Sequence, residues 1–391
     1  MTDRPGVDDG PAGLAALPRA ARDRLPADVE RLLRYVALET PTGDVAALDA
    51  LADLVVADGA ATGLAGGRVP TARSTADAVR LELPGRGARA GDSPALLLAH
   101  HDTVHPAGSV PVRRGGDGVL HGPGTYDMKA GIVVALSAAA LLRGLGLDHR
   151  PVRLLVTPDE EVGSPASADL VRAAAAGAAY ALGLEAPTPD GGLKTARRGS
   201  TRLRLEVTGR AAHAAVDPGA GVSATDELVD QLLAARRYLA GHPSVLVNVG
   251  TLQGGGRTNV VAAHAHADLG LRFVTAASER AVLAGLTAPE PVRAGARVSA
   301  RVLSRRPPWE PGPASDRLLA EVTAAARAIG QRVTGGPAPG AADTNLTAAA
   351  GVATLDGFGP LGGGAHAATE HVLLGSVAER SALLAAVLHR V

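Results

Sequence analysis

Five places in this chain gather acids and imidazoles of the kind that hold a cation or move a proton. ALLLA ends in His100, His101 and Asp102, and GPGTYDMKAG carries Asp127. VRLLVT runs into Pro158, Asp159, Glu160 and Glu161, YALGL ends in Glu185, and the loop Gly362–Gly364 leads to His366 and then Glu370. Each alone has a plainer reading. A histidine after a strand is more often a hydrogen-bonded structural group than a ligand. A DEE triplet is usually a solvated turn, and an isolated GxG is usually a tight turn. Together they carry more weight, because ligands in open α/β sheets collect at the C-terminal ends of strands. The chain has no cysteine, which excludes thiolate metal sites, disulfides and a cysteine nucleophile. Carboxylates with two imidazoles suit zinc, cobalt or manganese, and five ligands suit two ions sharing one carboxylate.

The elements that must position these groups are legible as pattern. Residues 1 to about 25 read as a loose, Pro/Gly-rich tail, followed by helical spacing over Val29–Thr40 and Val45–Gly63. Ala78–Leu83 alternates as a strand. Ala95–His101, Pro151–Thr157 and Ala179–Leu184 are short apolar runs that suit buried strands of a mixed or parallel sheet. Lys129–Gly144 is a small-residue helix between them, so the pattern is an α/β layered domain. Near Arg198 the pattern changes. In STRLRLEV, Thr201, Leu203, Leu205 and Val207 alternate with Arg202, Arg204 and Glu206, as in a half-solvated antiparallel strand. The sequence then predicts helix, strand, strand, helix, strand up to Leu303, the βαββαβ order of ferredoxin-like domains. SRRPPWEPGP reads as a linker back. The expected organisation is a tail (1–25), an α/β domain in two segments (26–198 and 307–391), and an inserted α+β domain (199–306).

Composition agrees. At 391 residues, two domains are expected, and 46% hydrophobic residues with 20% charged are ample for burial. Net charge is zero and the pI about 7.2, so no basic field exists to attract nucleic acid or an anionic membrane. The N-terminus lacks the basic start and apolar run of a signal peptide, and no apolar stretch suggests a membrane span. The expectation is a cytoplasmic globular protein without nucleic-acid or membrane partners.

The ordered motifs AHHDTV, GPGTYDMKAG, TPDEEVGS, the Glu185 strand end and GGGAHAATEH resemble those of the M20 family of zinc exopeptidases and deacylases over roughly residues 30–390. ETPTGD at Glu39–Asp44, RRPPWE at Arg305–Glu310 and the inserted GRAAHAAVDPGAGVSA lean toward its carboxypeptidase G-like branch. The resemblance implies a zinc-exopeptidase-like catalytic domain with a ferredoxin-like dimerisation domain, and two Zn2+ per subunit, with Co2+ or Mn2+ as substitutes. It implies that Asp127 bridges the ions, that His100 and Glu185 complete one site, and that Glu161 and His366 complete the other. Asp102 would accept a hydrogen bond from His100, and Glu160 would be the proton shuttle. Two such ions activate a water and polarise a carbonyl.

His213 would supply a donor to the oxyanion from the partner subunit of a homodimer, with domain closure. Its plainer reading is a capped loop histidine. Asn259, Arg272 and Arg306 resemble positions that hold a substrate carboxylate, but Arg272 shares a strand face with Asp268, so a structural ion pair is an alternative. Arg306 has the alternative of anchoring the linker, and the amides of Gly362–Gly364 are a further anion site. His101, His105, His121, His264, His266 and His371 are assigned to structure or surface. The implied activity is cleavage of an amide bond beside a free carboxylate, releasing a C-terminal amino acid from a small peptide or N-acyl conjugate. The alternative is an N-acyl-amino-acid deacylase or dipeptidase on the same machinery.

Overall fold

The computed structural model describes residues 11–71 and 75–391. The chain forms two compact units. One runs up to Ala196 and includes Pro311–Ala338 and Ala342–Val391; the other is Arg197–Glu310 with Pro339–Ala341.

The first unit is built on a six-stranded sheet. Its strands β1 (Ala65–Val69), β2 (Ala78–Leu83), β3 (Ala95–His100), β4 (Val152–Thr157) and β5 (Tyr180–Gly183) lie in the order β1-β2-β4-β3-β5, with Thr354–Leu355 at the far edge. β3 is parallel to both β4 and β5, whereas β2 is antiparallel to β4. Along β3, Ala95, Leu97 and Ala99 join one core cluster while Leu96 and Leu98 join another. Both faces are therefore covered by helices, which is why the strand reads as continuous apolar sequence.

The register places the chemistry. His100 is opposite Thr157, the last residue of β4, and Leu98 is opposite Gly183, the last residue of β5. Parallel strands end at the same sheet edge, so His100, the Pro158–Glu161 turn and Glu185 emerge side by side. The helix Ala130–Gly144 brings Asp127 to that edge. A Cβ on Gly131 would lie 2.2 Å from the Leu184 carbonyl, so only glycine lets this helix start so close to the strand that leads to Glu185.

The expected tail requires correction. Residues 1–10 of the expected tail lie outside the described residues, but Pro11–Ala37 is one helix. It contains Pro18 and Pro26, whose type suggests a loop, yet Leu14, Leu17, Ala21, Val29, Leu32 and Val36 recur at helical spacing and are buried. A proline inside a helix costs about 3 kcal/mol, and burial of that stripe against the helices Ala130–Gly144 and Leu374–Arg390 offsets it. Thr125–Gly144 has the length and hydropathy of a membrane-crossing helix, but 83% of that window is buried as a core element.

The second unit has strands β6 (Gly199–Thr208), β7 (Leu246–Gly254), β8 (His264–Phe273) and β9 (Arg297–Arg306) in the order β7-β8-β6-β9, all antiparallel. Helices Ala224–Ala240 and Ala276–Leu286 cover one face, burying Leu203, Leu205, Val207 and Phe273. This is the expected ferredoxin-like order. The stretch SRRPPWEPGP is ordered: Ser304–Arg306 finishes β9, and buried Trp309 exchanges backbone bonds of 2.9 and 3.0 Å with Arg197.

Candidate metal centre

The geometry of the first unit centres on Asp127. Its Oδ1 lies 3.2 Å from His100 Nε2 and its Oδ2 lies 3.3 Å from His366 Nε2. One carboxylate thus turns one oxygen to each imidazole. His100 Nε2 is also 3.6 Å from Glu185 Oε1, and His366 Nε2 is 3.2 Å from Glu161 Oε2. His100, Asp127 and Glu161 offer ligand atoms within 4.8 Å of one another, as do His100, Glu160 and Glu185.

The tautomer of His100 suits a ligand. Its Nδ1 sits 3.0 Å from the Asp102 carbonyl and 3.3 Å from the Asp102 carboxylate, so that nitrogen keeps its proton and Nε2 is the one whose proton a cation would replace. Asp102 does more than orient the ring. Its Oδ1 accepts the Glu160 N–H at 3.1 Å, and its Oδ2 accepts the Glu161 N–H at 3.1 Å and the Thr42 hydroxyl at 2.8 Å. The backbone of the paired glutamates is therefore pinned by the same carboxylate that faces His100.

Five carboxylates (Asp102, Asp127, Glu160, Glu161, Glu185) crowd around two imidazoles, so charge dominates. Burial alone would push the His100 pKa down, but its hydrogen bonds to Asp102 and Asp127 and the charge of Glu185 hold it well above the ordinary value. Hydrogen bonds to Asp127 and Glu161 raise His366 to about 10. For Asp127, burial favours the neutral acid, yet the two histidines outweigh it and lower its pKa. Protonating both histidines still leaves the acids in excess. Glu161 Oε1 is buried without a hydrogen-bond partner, and a buried unpaired carboxylate oxygen is costly. A divalent cation resolves both conditions, so the residues fit the expected metal.

The rest of the neighbourhood is also polar. Lys129 is fully buried, donates to the Leu38 carbonyl at 2.8 Å, and burial lowers its pKa to about 7. His101 is buried with neither ring nitrogen hydrogen-bonded, and burial lowers its pKa to about 4, consistent with a neutral packing group. His366 has a left-handed φ of 62°, unusual for a side chain larger than glycine. The bond of Thr42 to Asp102 has no local signal in the sequence, because the two lie 60 positions apart.

The remaining candidates belong to the second unit. His213 is exposed, and its Nδ1 accepts the N–H groups of Ala215 at 3.2 Å and Val216 at 3.1 Å. That fixes the proton on Nε2, leaving an outward N–H donor. The Asn259 carbonyl accepts the Ala214 N–H at 3.0 Å, which joins the two loops. Arg272 and Arg306 lie on either side of Ser200 in one cross-strand row, and Arg272 donates to the Ser200 hydroxyl. Burial and the charge of Arg306 lower the Arg272 pKa. Asp268 pairs with Arg204 at 2.6 and 2.8 Å, so the alternative Arg272–Asp268 pair does not form.

The profile of peptidase family M20/M25/M40 matches residues 96–390. Carboxypeptidase G2 of Pseudomonas sp. (strain RS-16) is 31% identical over 65% of this chain, a stretch that spans 62% of its own length. Succinyl-diaminopimelate desuccinylase of Gluconacetobacter diazotrophicus is 30% identical over 78% of this chain and 84% of its own. An M20 family metallo-carboxypeptidase from Sulfolobus solfataricus superposes with a TM-score of 0.71 at 14% identity, covering 93% of this chain and 98% of the other, which speaks for the fold.

Proposed function

The chain belongs to peptidase family M20/M25/M40 and is a hydrolase, and from that premise we propose that it cleaves an amide bond beside a free carboxylate, releasing a C-terminal amino acid. The observation that carries the hydrolytic reading is Asp127, with one oxygen toward each of two imidazoles. His100 with Glu185 would hold one zinc ion and His366 with Glu161 the other, Asp127 bridging them; cobalt or manganese are substitutes of the same chemistry. The metals supply Lewis acidity toward water and the scissile carbonyl. Glu160 takes the proton of the attacking water and delivers it to the leaving nitrogen. Its backbone is held for this by the Asp102 carboxylate. His213 Nε2–H serves the oxyanion.

The preference for a free carboxylate rests on Arg272 and Arg306. Two guanidiniums flanking one serine on a sheet repel each other, and a bound carboxylate relieves that repulsion. Asn259 would add a polar contact. The deacylase reading draws support from the desuccinylase relative. A panel of C-terminal glutamyl peptides, dipeptides and N-acyl amino acids, assayed with zinc, cobalt or manganese, separates the two. Release of C-terminal glutamate is expected to have the highest kcat/KM, whereas preferential hydrolysis of small N-acyl groups would replace the carboxypeptidase reading. Absence of turnover across the panel, with metal bound, would reject both.

We place the enzyme in the cytoplasm as a homodimer, without membrane or nucleic-acid partners. Within the second unit, the edge strand β7 exposes Leu246, Val247 and Leu252, and the helix Ala224–Ala240 exposes Val229 and Leu233. An apolar sheet edge of this kind is a template for pairing with another chain. If His213 acts on the partner's substrate, mixing inactive Glu160→Ala and His213→Ala homodimers restores activity, because one of the two sites in each heterodimer is then intact. No recovery after verified subunit exchange would remove His213 from a role in trans.

A further inference from the structure

One buried acid of the first unit has no part in the chemistry above. Glu370 is 1% exposed, and its carboxylate collects four donors from elsewhere in the chain. Oε1 accepts the N–H groups of Tyr126 at 2.9 Å and Asp127 at 3.0 Å. Oε2 accepts the Gly124 N–H at 3.0 Å and lies 2.7 Å from His105 Nε2. The Glu370 carbonyl also accepts the Gly122 N–H at 3.3 Å. A carboxylate has about four lone-pair positions, and here each has a donor.

The donors and Glu370 itself come from the three segments that carry His100, Asp127 and His366. His105 follows His100 by five residues, and the amides at 124, 126 and 127 form the loop of Asp127. Glu370 closes the turn that holds His366: the Ala367 N–H reaches the Gly364 carbonyl at 2.9 Å, and the Glu370 N–H reaches the Ala367 carbonyl at 3.0 Å. This turn needs glycine at 364, where φ is 73° and a Cβ would lie 2.7 Å from the Thr369 carbonyl.

We infer that Glu370 is a positioning residue for the metal centre: its carboxylate clamps the peptide of Asp127 so that one Asp127 oxygen faces each imidazole. The inference rests on the reading of that cluster as a metal centre. The peptide between Tyr126 and Asp127 cannot rotate without breaking a charge-assisted bond, and the Asp127 side chain follows its backbone. A merely structural Glu370 would affect stability and leave metal affinity alone.

Glu370→Gln in the full chain tests this. The amide keeps the shape but has a single acceptor oxygen, and its NH2 group would face two donors. Zinc affinity is measured by equilibrium dialysis, and backbone exchange over residues 122–128 of the metal-free protein by hydrogen–deuterium exchange. Zinc affinity is expected to fall by about 10–100-fold, the range seen when partners of metal ligands are lost. Exchange over 122–128 should accelerate while that of β6 stays unchanged. Zinc affinity within about twofold of the parent, with unaltered exchange, would overturn the inference. His105→Leu strips one donor and is the second variant should Glu370→Gln not fold; a several-fold loss of zinc affinity is expected, and none would count against the clamp. If the parent protein itself binds no zinc, cobalt or manganese, the metal reading fails. Exchange over 122–128 then still decides whether Glu370 holds the loop.

Discussion

Replacing Glu160 by alanine is expected to lower kcat by at least about 100-fold while the protein retains its full metal content. The two measurements together matter, because Glu160 lies within ligand range of His100 and Glu185. Were Glu160 a ligand, the substitution would release metal and the activity loss would follow from that. The structure argues for a separate role through the backbone. Asp102 holds the N–H groups of both Glu160 and Glu161, and the side chains of adjacent residues diverge from a pinned peptide pair. Glu161 turns toward His366 at 3.2 Å. Metal content read by elemental mass spectrometry, alongside kcat, decides the matter: activity equal to the parent, or loss of an ion, would each remove Glu160 from proton transfer.

The parts of this site legible in the sequence were those encoded locally. An apolar run with a polar residue at its end is a strand and its terminus, so His100, Glu160, Glu161 and Glu185 could be assigned to one sheet edge before their register was known. Alternation in STRLRLEV likewise disclosed β6. What depended on cross-strand partnership was harder to read. Four residues along a strand span about 13 Å, too far for an ion pair, so the apparent match of Arg272 with Asp268 had to yield to the directly opposite Arg204. The contacts of Thr42 and Glu370 are hidden for a related reason. Their partners lie 60 and 243–265 positions away in sequence, and no local spacing marks such contacts. The helix Pro11–Ala37 was obscured differently, since Pro18 and Pro26 suggest loop while the buried stripe determines the outcome.

Asp127→Asn should reduce two bound ions to one and remove nearly all turnover. Asp127 is the only residue whose two oxygens approach both imidazoles among the described ion-pair contacts. Asparagine keeps the shape but offers one oxygen, so its amide NH2 must confront the ligand set of His100 or that of His366. An ion present at 1,000 times its Kd stabilises the folded state by about 4 kcal/mol. For a unit of about 270 residues, with an unfolding entropy of about 2.1 cal/mol/K per residue, each kcal/mol moves Tm by about 2 °C. Two ions should therefore raise the melting temperature of the parent by roughly 16 °C over the chelated form, and one ion by about half of that. Differential scanning calorimetry with and without zinc, paired with metal counting, reads both quantities. An Asp127→Asn protein that binds two ions and gains the same Tm on zinc addition would show that the carboxylate does not bridge. The centre would then consist of two independent sites, one at His100 and Glu185 and one at His366 and Glu161.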